Sequence, residues 1–421
     1  MKAASSRHST SPDPARARRL ILILAVLGFF LRLAFGLFYW IDKPLTHDEH
    51  EYLALSQSVA AGQGFVYGAG HDTGTTQQFG RAPLYPVFLA AAGAGARDYS
   101  ASPTRVKLAQ SLLGAIGVWL IGVIAVRTAG PAGGVAAALL AAVYPPLVWI
   151  CSYVLSEALY STVALTAVLL LDRALDRADA GGSSAARWRS AASGIATGIA
   201  ILVRPAMLFF LPLAGLWLAR RRRGALGVIF VVTALGVVAP WTARNVRLFH
   251  RPVIVASEGG VTFWTGNHPL ARGEGDLAAN PDIKRAEIAF REARPGLTSE
   301  QLEPLYYRDS LRYIAAHPIW WMGLLARKAF YTVVPAGPSY TLHSTAYLVA
   351  SVASYLLLLP LAAWGWVAGR GDRRPEALFV LAASSVLAGL VFFPQERFRI
   401  PVIDPALIVC AAAACADRWN R

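Results

Sequence analysis

Residues 20–40 read LILILAVLGFFLRLAFGLFYW, an apolar run long enough to cross the roughly 30 Å hydrocarbon core of a bilayer as one helix. No A-x-A-like cleavage site follows it, which favours a membrane anchor over a cleaved signal peptide. Arg32 interrupts the run, and since a charge at this depth costs about 3 kcal/mol, we expect it to face other helices rather than lipid. This stretch therefore predicts a chain whose solvent is the membrane.

The composition extends that prediction to the whole chain of 421 residues. It is 55% hydrophobic and 15% charged, with a mean hydropathy of +0.45. The formal net charge of +15 falls in clusters between apolar runs, at residues 16–19, 220–223 and 370–374. This is the positive-inside pattern of membrane proteins and not a nucleic-acid surface. The three cysteines do not imply a disulfide framework.

The apolar runs predict an all-α polytopic bundle of about ten transmembrane helices. We divide the chain into a disordered cytoplasmic tail (1–19), a transmembrane core (20–241) with a first outer loop (41–104), an extracytoplasmic loop region (242–343) and C-terminal transmembrane helices (344–421). The predicted spans lie at residues 20–40, 105–126, 132–150, 153–171, 190–203, 205–219, 224–241, 344–368, 376–393 and 400–416.

The basic clusters set the predicted orientation. Both termini are placed in the cytoplasm of a plasma (inner) membrane, and residues 41–104 and 242–343 face outward. The segment 317–335 is ambiguous, because Trp320 and Trp321 suit a membrane while Arg327 and Lys328 interrupt it. We prefer an interfacial helix, aromatic on one face and cationic on the other, since a further span would reverse every later loop.

The residues whose side chains could take part in catalysis or binding lie at the predicted outer surface. Three carboxylates and two imidazoles crowd the acidic loop His47 to Tyr52, and a carboxylate there can serve as a general base. Glu157 opens the fourth span at a similar level. Five arginines occupy this side, where topology does not call for cations, and an anionic partner such as phosphate accounts for them: Arg81, Arg204, Arg244, Arg397 and Arg399.

Several short motifs, in this order, resemble glycosyltransferases of the GT-C fold. They are Asp48-Glu49, Arg81-Ala-Pro-Leu-Tyr-Pro, Ser156-Glu157-Ala-Leu-Tyr, Arg204-Pro205, Pro240-Trp241 with Arg244-Asn245, Gly266-Asn267-His268-Pro269 and Arg397-Phe-Arg-Ile-Pro401. The branch they resemble holds bacterial relatives of protein O-mannosyltransferases (glycosyltransferase family 39) and aminoarabinose transferases. Such enzymes take a sugar from a polyprenyl-phosphate carrier and transfer it, with inversion, to a lipid, protein or glycan acceptor on the non-cytoplasmic face.

The resemblance also implies roles for individual residues. Asp48 is the expected base, with Glu49 beside it and Glu157 as a second acid. The substrate- and phosphate-binding set is Arg81, Tyr52, Arg204, Arg244, Asn267, Arg397 and Arg399. Gly80 stands where the aminoarabinose branch has a metal-binding glutamate, which leaves His268, His47 and His50 as the candidate ligands for a divalent metal.

Two other interpretations stay open at this point. A secondary transporter of an anionic solute would also combine arginines and carboxylates in a polytopic bundle, although such proteins place them near the membrane midplane. A membrane metallopeptidase would need a zinc motif, and His47-x-x-His50 lacks the i, i+4 spacing of HExxH.

Overall fold

The computed structural model describes residues 13–67, 80–275, 280–335, 345–368 and 375–419. Within these ranges the secondary structure is helical, apart from one isolated bridge between Pro44 and Ala101. The α-helices are α1 (Pro14–Ala34), α2 (His47–Ala60), α3 (Leu84–Ala91), α4 (Thr104–Val143), α5 (Pro145–Trp149), α6 (Glu157–Asp179), α7 (Ser183–Val203), α8 (Phe210–Arg220), α9 (Gly224–Phe249), α10 (Gly259–Asn267), α11 (Pro281–Glu292), α12 (Ser299–Ala316), α13 (Pro318–Val333), α14 (Thr345–Ala368), α15 (Glu376–Val391), α16 (Glu396–Arg399) and α17 (Ile403–Trp419).

The helices confirm an all-α polytopic membrane protein. In the described part of the chain, five are long and apolar enough to cross a bilayer, at Pro14–Tyr39, Thr104–Val143, Glu157–Asp179, Gly224–Phe249 and Thr345–Val367. Shorter apolar helices lie at Pro205–Arg220, Glu376–Val391 and Ile403–Cys415. Large apolar side chains such as Leu357 (70% exposed) point outward, as a lipid-facing surface requires. Each predicted span overlaps a helix, while the number of ten stays a prediction.

Helix α4 is a hairpin of two helical arms and not one 40-residue rod. Gly130 has φ 71° and ψ −175°, a backbone conformation that glycine adopts without strain. The arms then pack together, because a Cβ built on Gly134 would lie 3.0 Å from the Gly122 carbonyl oxygen. Twelve residues of continuous helix would separate these two positions by about 18 Å. The two spans predicted here are therefore the two arms of α4.

Two predicted boundaries differ from the helix ends in the structure. α1 begins at Pro14 and not at Leu20, because proline suits a first helical position and the Ala/Arg residues that follow favour helix. Of the predicted tail, residues 13–19 are described, and residues 1–12 lie outside the described ranges. The span predicted to end at residue 150 ends at Val143, since Pro145 and Pro146 cannot extend α4.

The two predicted outer segments contain several helices. Residues 41–104 contain α2 and α3, and residues 242–343 contain the end of α9 and α10 to α13. Within α13, Lys328 is fully buried beside Leu324, whereas Ile319 is 86% exposed. The prediction that one face of this helix is aromatic and the other cationic does not hold for Lys328, which lies inside the protein. Whether α13 spans the membrane or lies at its surface stays a prediction.

Arg32 faces the helix bundle, as expected. It is 1% exposed and donates to three backbone carbonyl oxygens, those of Gly28 (3.0 Å), Ala141 (2.9 Å) and Ala142 (3.2 Å). The carbonyls belong to α1 itself and to the second arm of α4. The buried guanidinium thus ties the first helix to the α4 hairpin, which stabilises the bundle beneath the candidate site.

Candidate active site

The acidic segment 47–52 is the first part of helix α2 and not a loop. Thr46 caps the helix, and Glu49 closes the capping box by accepting from the Thr46 amide at 2.8 Å. Asp48 and Glu51, three residues apart, share one face of the helix. Glu49 points elsewhere, because its other oxygen accepts from the Val154 amide at 2.7 Å. The cap therefore fixes which carboxylates of the cluster face the site.

Arg81 lies at the centre of three carboxylates. Its Nη2 donates to Asp48 Oδ1 at 2.6 Å, and its Nε donates to Glu51 Oε2 at 2.8 Å. Glu258, in the turn before α10, approaches the Arg81 Nε to 3.4 Å. The guanidinium also lies 5.3 Å from the centre of the Tyr52 ring. A cation held by three acids and an aromatic face is firmly oriented.

A second arginine continues the arrangement from the far end of the chain. Arg397, in α16, ion-pairs with Asp48 Oδ2, and its Nε is 4.0 Å from Glu157 Oε1. Glu157, the first residue of α6, forms an ion pair in turn with Arg204, whose Nη1 lies 2.9 Å from Glu157 Oε1. Arg204 is placed there because α7 ends at Val203, before Pro205. The result is an alternating row, called here the ion-pair row: Glu258, Arg81, Asp48, Arg397, Glu157 and Arg204.

The electrostatics of the row keep Asp48 ionised. Burial raises the pKa of Asp48, but the Arg81 and Arg397 guanidiniums outweigh burial and hold this pKa well below its usual value. Glu258 behaves differently, because burial, assisted by the negative charges of Glu51 and Asp48, raises its pKa to about 7 despite Arg81. The row thus combines one firmly charged carboxylate with one that titrates near neutral pH.

Glu157 retains an unused acceptor. Its side chain is 3% exposed, and its Oε2 has no hydrogen-bond partner within the described residues. It also lines an apolar cavity between α4 and α6 that contains Ser161 and Thr162. A buried carboxylate oxygen without a donor is costly, so a water molecule or the hydroxyl group of a substrate is a natural partner for it.

Two predicted arginines lie outside the ion-pair row. Arg244 stacks 4.5 Å above Trp241 and donates to Asn245 Oδ1 at 3.0 Å. Arg399 is 2% exposed, donates to Asp404 Oδ1 at 3.0 Å and lies 3.5 Å from the centre of the Tyr355 ring. None of these contacts joins either arginine to the ion-pair row, and their predicted role in phosphate binding stays a prediction. The motifs that contain these arginines did not indicate which way their side chains turn.

Asn267 also occupies a structural position. It is 1% exposed, and its Nδ2 donates to two carbonyl oxygens, those of Phe263 and Val391. Its Oδ1 accepts from Trp321 Nε1 at 3.1 Å and from Lys328 Nζ at 3.0 Å. These four bonds use the full capacity of an amide. Asn267 therefore joins α10, α13 and α15 instead of facing a substrate.

The side chains at the site do not fit a metal ion. His268 packs 4.2 Å from the Trp264 ring and its Nδ1 accepts from the Leu270 amide, while His47 contacts Glu51 at 3.5 Å and His50 is exposed. No group of three or more His, Cys, Asp or Glu in the described ranges has the arrangement of a metal site. The charge at the centre of the carboxylates is the Arg81 guanidinium, and both Asp48 oxygens already accept from arginines.

Sequence reasoning missed Glu51 as a site residue, and it missed Glu258 entirely. A Cβ placed on Gly80 would overlap the Glu258 carboxylate, so Glu258 fills the space beside a position that has no side chain. Glu51 belonged to the acidic cluster but was not singled out, and its i, i+3 spacing from Asp48 was the available signal. Glu258 lies 177 positions beyond Arg81, and nothing local in the sequence connects them.

Comparisons with known proteins show the fold. No protein-family model matches the sequence, and no curated protein matches it either. Among solved structures, the Archaeoglobus fulgidus oligosaccharyltransferase with a tethered acceptor peptide matches 94% of this chain and 49% of its own, at a TM-score of 0.58 and 14% identity. The archaeal oligosaccharyltransferase AglB from Archaeoglobus fulgidus, in complex with an inhibitory peptide and a dolichol-phosphate, covers 94% of this chain and 50% of its own, at a TM-score of 0.56 and 13% identity.

ArnT from Cupriavidus metallidurans, bound to undecaprenyl phosphate, covers 95% of this chain and 77% of its own at 16% identity, with a TM-score of only 0.40. The chain spans about half the length of the oligosaccharyltransferase structures it matches. The predicted GT-C fold is therefore confirmed by the two oligosaccharyltransferase structures.

Proposed function

We propose that this chain is an integral membrane glycosyltransferase that moves a sugar from a polyprenyl-phosphate carrier to a lipid, protein or glycan acceptor, with inversion, on the non-cytoplasmic face. The observation that carries the proposal is the ion-pair row, in which an ionised carboxylate lies between two guanidiniums at one end of a GT-C bundle. The dolichol-phosphate in one structural neighbour supports a lipid-linked donor.

The chemistry requires a base and an anion-binding group at adjacent positions. Asp48 takes the proton of the acceptor hydroxyl, and the acceptor oxygen attacks the anomeric carbon of the sugar. The bond from this carbon to the carrier phosphate breaks, and its electron pair leaves with the polyprenyl phosphate. Guanidiniums stabilise the charge that develops on the phosphate. Arg81 and Arg397 are the two arginines that contact Asp48, which places both groups side by side.

The ligand-free pairing of Asp48 suggests how the base is activated. A carboxylate held by two guanidiniums is a weak base, because its pKa is well below the usual range. A carrier phosphate would compete with Asp48 for Arg81 and Arg397, since guanidiniums bind phosphate bidentately. Exchange of an arginine from Asp48 to phosphate raises the basicity of Asp48 when the donor is bound. In this proposal Glu49 only positions Asp48, and the unused oxygen of Glu157 accepts from a substrate hydroxyl.

The alternatives have less support from the geometry. The row lies at helix ends, with Asp48 in the first turn of α2 and Glu157 at the start of α6, whereas transporter sites usually lie at the midplane among broken helices. The metallopeptidase interpretation needs both histidines as ligands, but His50 is exposed and His47 contacts Glu51.

A genetic complementation experiment tests the proposal. A deletion strain of the native host would be complemented with wild type, with Asp48→Asn or with Asp282→Asn, and its glycolipids, glycoproteins and surface glycans would be compared by mass spectrometry. We expect one glycosylated product to disappear in the deletion strain, to return with wild type and Asp282→Asn, and to stay absent with Asp48→Asn. An unchanged set of products in the deletion strain would refute the proposed activity.

A further inference from the structure

A second charged cavity lies at the opposite end of the bundle from the ion-pair row. It is lined by Arg127, Arg173, Asp176, Arg177 and Arg189, and its volume is about 270 Å³. Helix α6 runs from Glu157 in the row to Asp176 in this cavity, which separates the two by about 28 Å along the helix. The cavity is thus at the end that the basic clusters predict to be cytoplasmic.

Three helices bring the arginines of this cavity together. Arg173 and Arg177 are one turn apart on α6, and Arg189 lies in the second turn of α7. Arg127 ends the first arm of α4 and is neutralised by Asp176, with Nη2 donating to Oδ1 at 2.9 Å. Arg173 is within electrostatic range of Arg127 and Arg189, and also of Asp176, the ion-pair partner of Arg127. Four guanidiniums therefore surround one carboxylate in this space.

Other arginines at this end of the bundle have carboxylate partners, unlike three of the arginines that line the cavity. Arg221 pairs with Glu376, and Arg223 pairs with Asp179 at 2.6 Å. By contrast, no ion pair within the described ranges involves Arg173, Arg177 or Arg189. The positive-inside rule accounts for arginines at this end of the helices, but it does not require three of them to line one cavity without carboxylates of their own.

We propose that Arg173, Arg177 and Arg189 bind the phosphate group of an anionic phospholipid from the adjacent leaflet. Guanidiniums offer paired donors to phosphate oxygens, and an anion between them removes their mutual repulsion. Trp188, next to Arg189, is 75% exposed, and an exposed tryptophan is typical of the lipid headgroup level. Basic pockets between transmembrane helices on this side of a membrane commonly hold lipid headgroups.

The test uses the purified full chain in a neutral detergent, followed by thermal unfolding. Short-chain phosphatidylglycerol, short-chain phosphatidylcholine and inorganic phosphate would be titrated separately, and a dissociation constant derived from the rise in unfolding temperature. We expect phosphatidylglycerol to bind and phosphatidylcholine to have no comparable effect. Inorganic phosphate that binds as tightly as phosphatidylglycerol would overturn the lipid assignment.

Paired variants locate the site. R173Q/R189Q should weaken phosphatidylglycerol binding roughly 100-fold, because each lost guanidinium bond to phosphate accounts for about tenfold or more. The control R221Q/R223Q removes the same charge at the same end and should change binding less than about threefold. Without lipid, R173Q/R189Q should unfold at an equal or higher temperature than wild type, since repulsion is relieved. Equal weakening in both double variants would overturn the site.

Asp176→Asn provides a test in the opposite direction. It releases Arg127 from its carboxylate partner and so adds a fourth guanidinium to the cavity. We expect phosphatidylglycerol to bind about tenfold more tightly to this variant. Unchanged or weaker binding would contradict the proposal, and the result does not depend on whether R173Q/R189Q folds.

Discussion

Asp48→Asn should separate carrier binding from sugar transfer. In the ligand-free protein the Asp48 carboxylate accepts from both Arg81 and Arg397. A hydrogen bond to a charged group contributes about 1.5–3 kcal/mol, and at least one such bond must be given up when a carrier phosphate takes an arginine from Asp48. Asparagine weakens this competition, because its side chain is uncharged and has only one acceptor oxygen. We therefore expect polyprenyl phosphate to bind about 10- to 100-fold more tightly to the variant.

The same substitution should abolish transfer while the fold survives. Loss of a general base lowers the rate by about 10²- to 10⁴-fold. Arg81 keeps Glu51 and Glu258 as partners, and Arg397 keeps Gln395 at 2.9 Å. The Asp48 side chain is 21% exposed, so the stability loss should lie between that of a surface and a buried pair, about 1–2 kcal/mol.

The assay is equilibrium binding of a polyprenyl phosphate to purified protein, with transfer measured in the membranes from which the protein is purified. Asp282→Asn is a matched control, because Asp282 also contacts two arginines, Arg285 and Arg272 at 3.6 Å, but lies outside the ion-pair row. The control should bind and transfer as wild type does. Equal or weaker carrier binding by Asp48→Asn would refute the exchange of arginines between Asp48 and phosphate.

Further predictions concern other residues of the chain. Arg397→Gln should weaken polyprenyl-phosphate binding about tenfold and lower transfer about 100-fold, with Arg397→Lys intermediate; wild-type kinetics would remove Arg397 from the site. Arg244→Gln should change transfer less than about threefold because its guanidinium stacks on Trp241, and a loss as large as that of Arg397→Gln would restore the sequence-based assignment. Burial raises the pKa of Glu258 to about 7, so the native state binds the extra proton and stability falls as the pH rises from 5 to 8. From pH 5 to 8, the free energy of unfolding of Glu258→Gln should fall by about 1 kcal/mol less than that of wild type, after allowance for a side chain that is 33% exposed. Thermal unfolding at each pH measures this, and an equal fall in the two proteins would contradict it. A reporter fused at Asn280 should be extracytoplasmic; a cytoplasmic signal would reverse the orientation.

Hydropathy predicted most of the helices, because the apolar character of a membrane helix is a property of its own residues. The run 20–40 and the apolar segments after it identify helices without reference to the rest of the chain. Pro145 and Gly130 then set where helices end or turn, and a composition window does not resolve such points to within a few residues. The helix at His47 was missed as a helix because its side chains are polar, although the Thr46–Glu49 capping box was present in the sequence.

The candidate site was predictable only in part, for a physical reason. Asp48, Arg81, Glu157, Arg204 and Arg397 all lie near the ends of helices, so topology brings them to one end of the bundle. The type of a residue did not reveal where its side chain points. Arg399 turns to Asp404, and Asn267 bonds inside the protein. Glu258 was not predicted as a site residue, because its contact with Arg81 depends on the packing of segments that are distant in the sequence.

The exchange of an arginine between Asp48 and phosphate would be visible in a structure of the chain with a bound polyprenyl phosphate. We expect phosphate oxygens within about 3 Å of the guanidinium of Arg81 or Arg397, with the corresponding bond to Asp48 broken. A phosphate bound elsewhere, with Asp48 still held by both arginines, would contradict it.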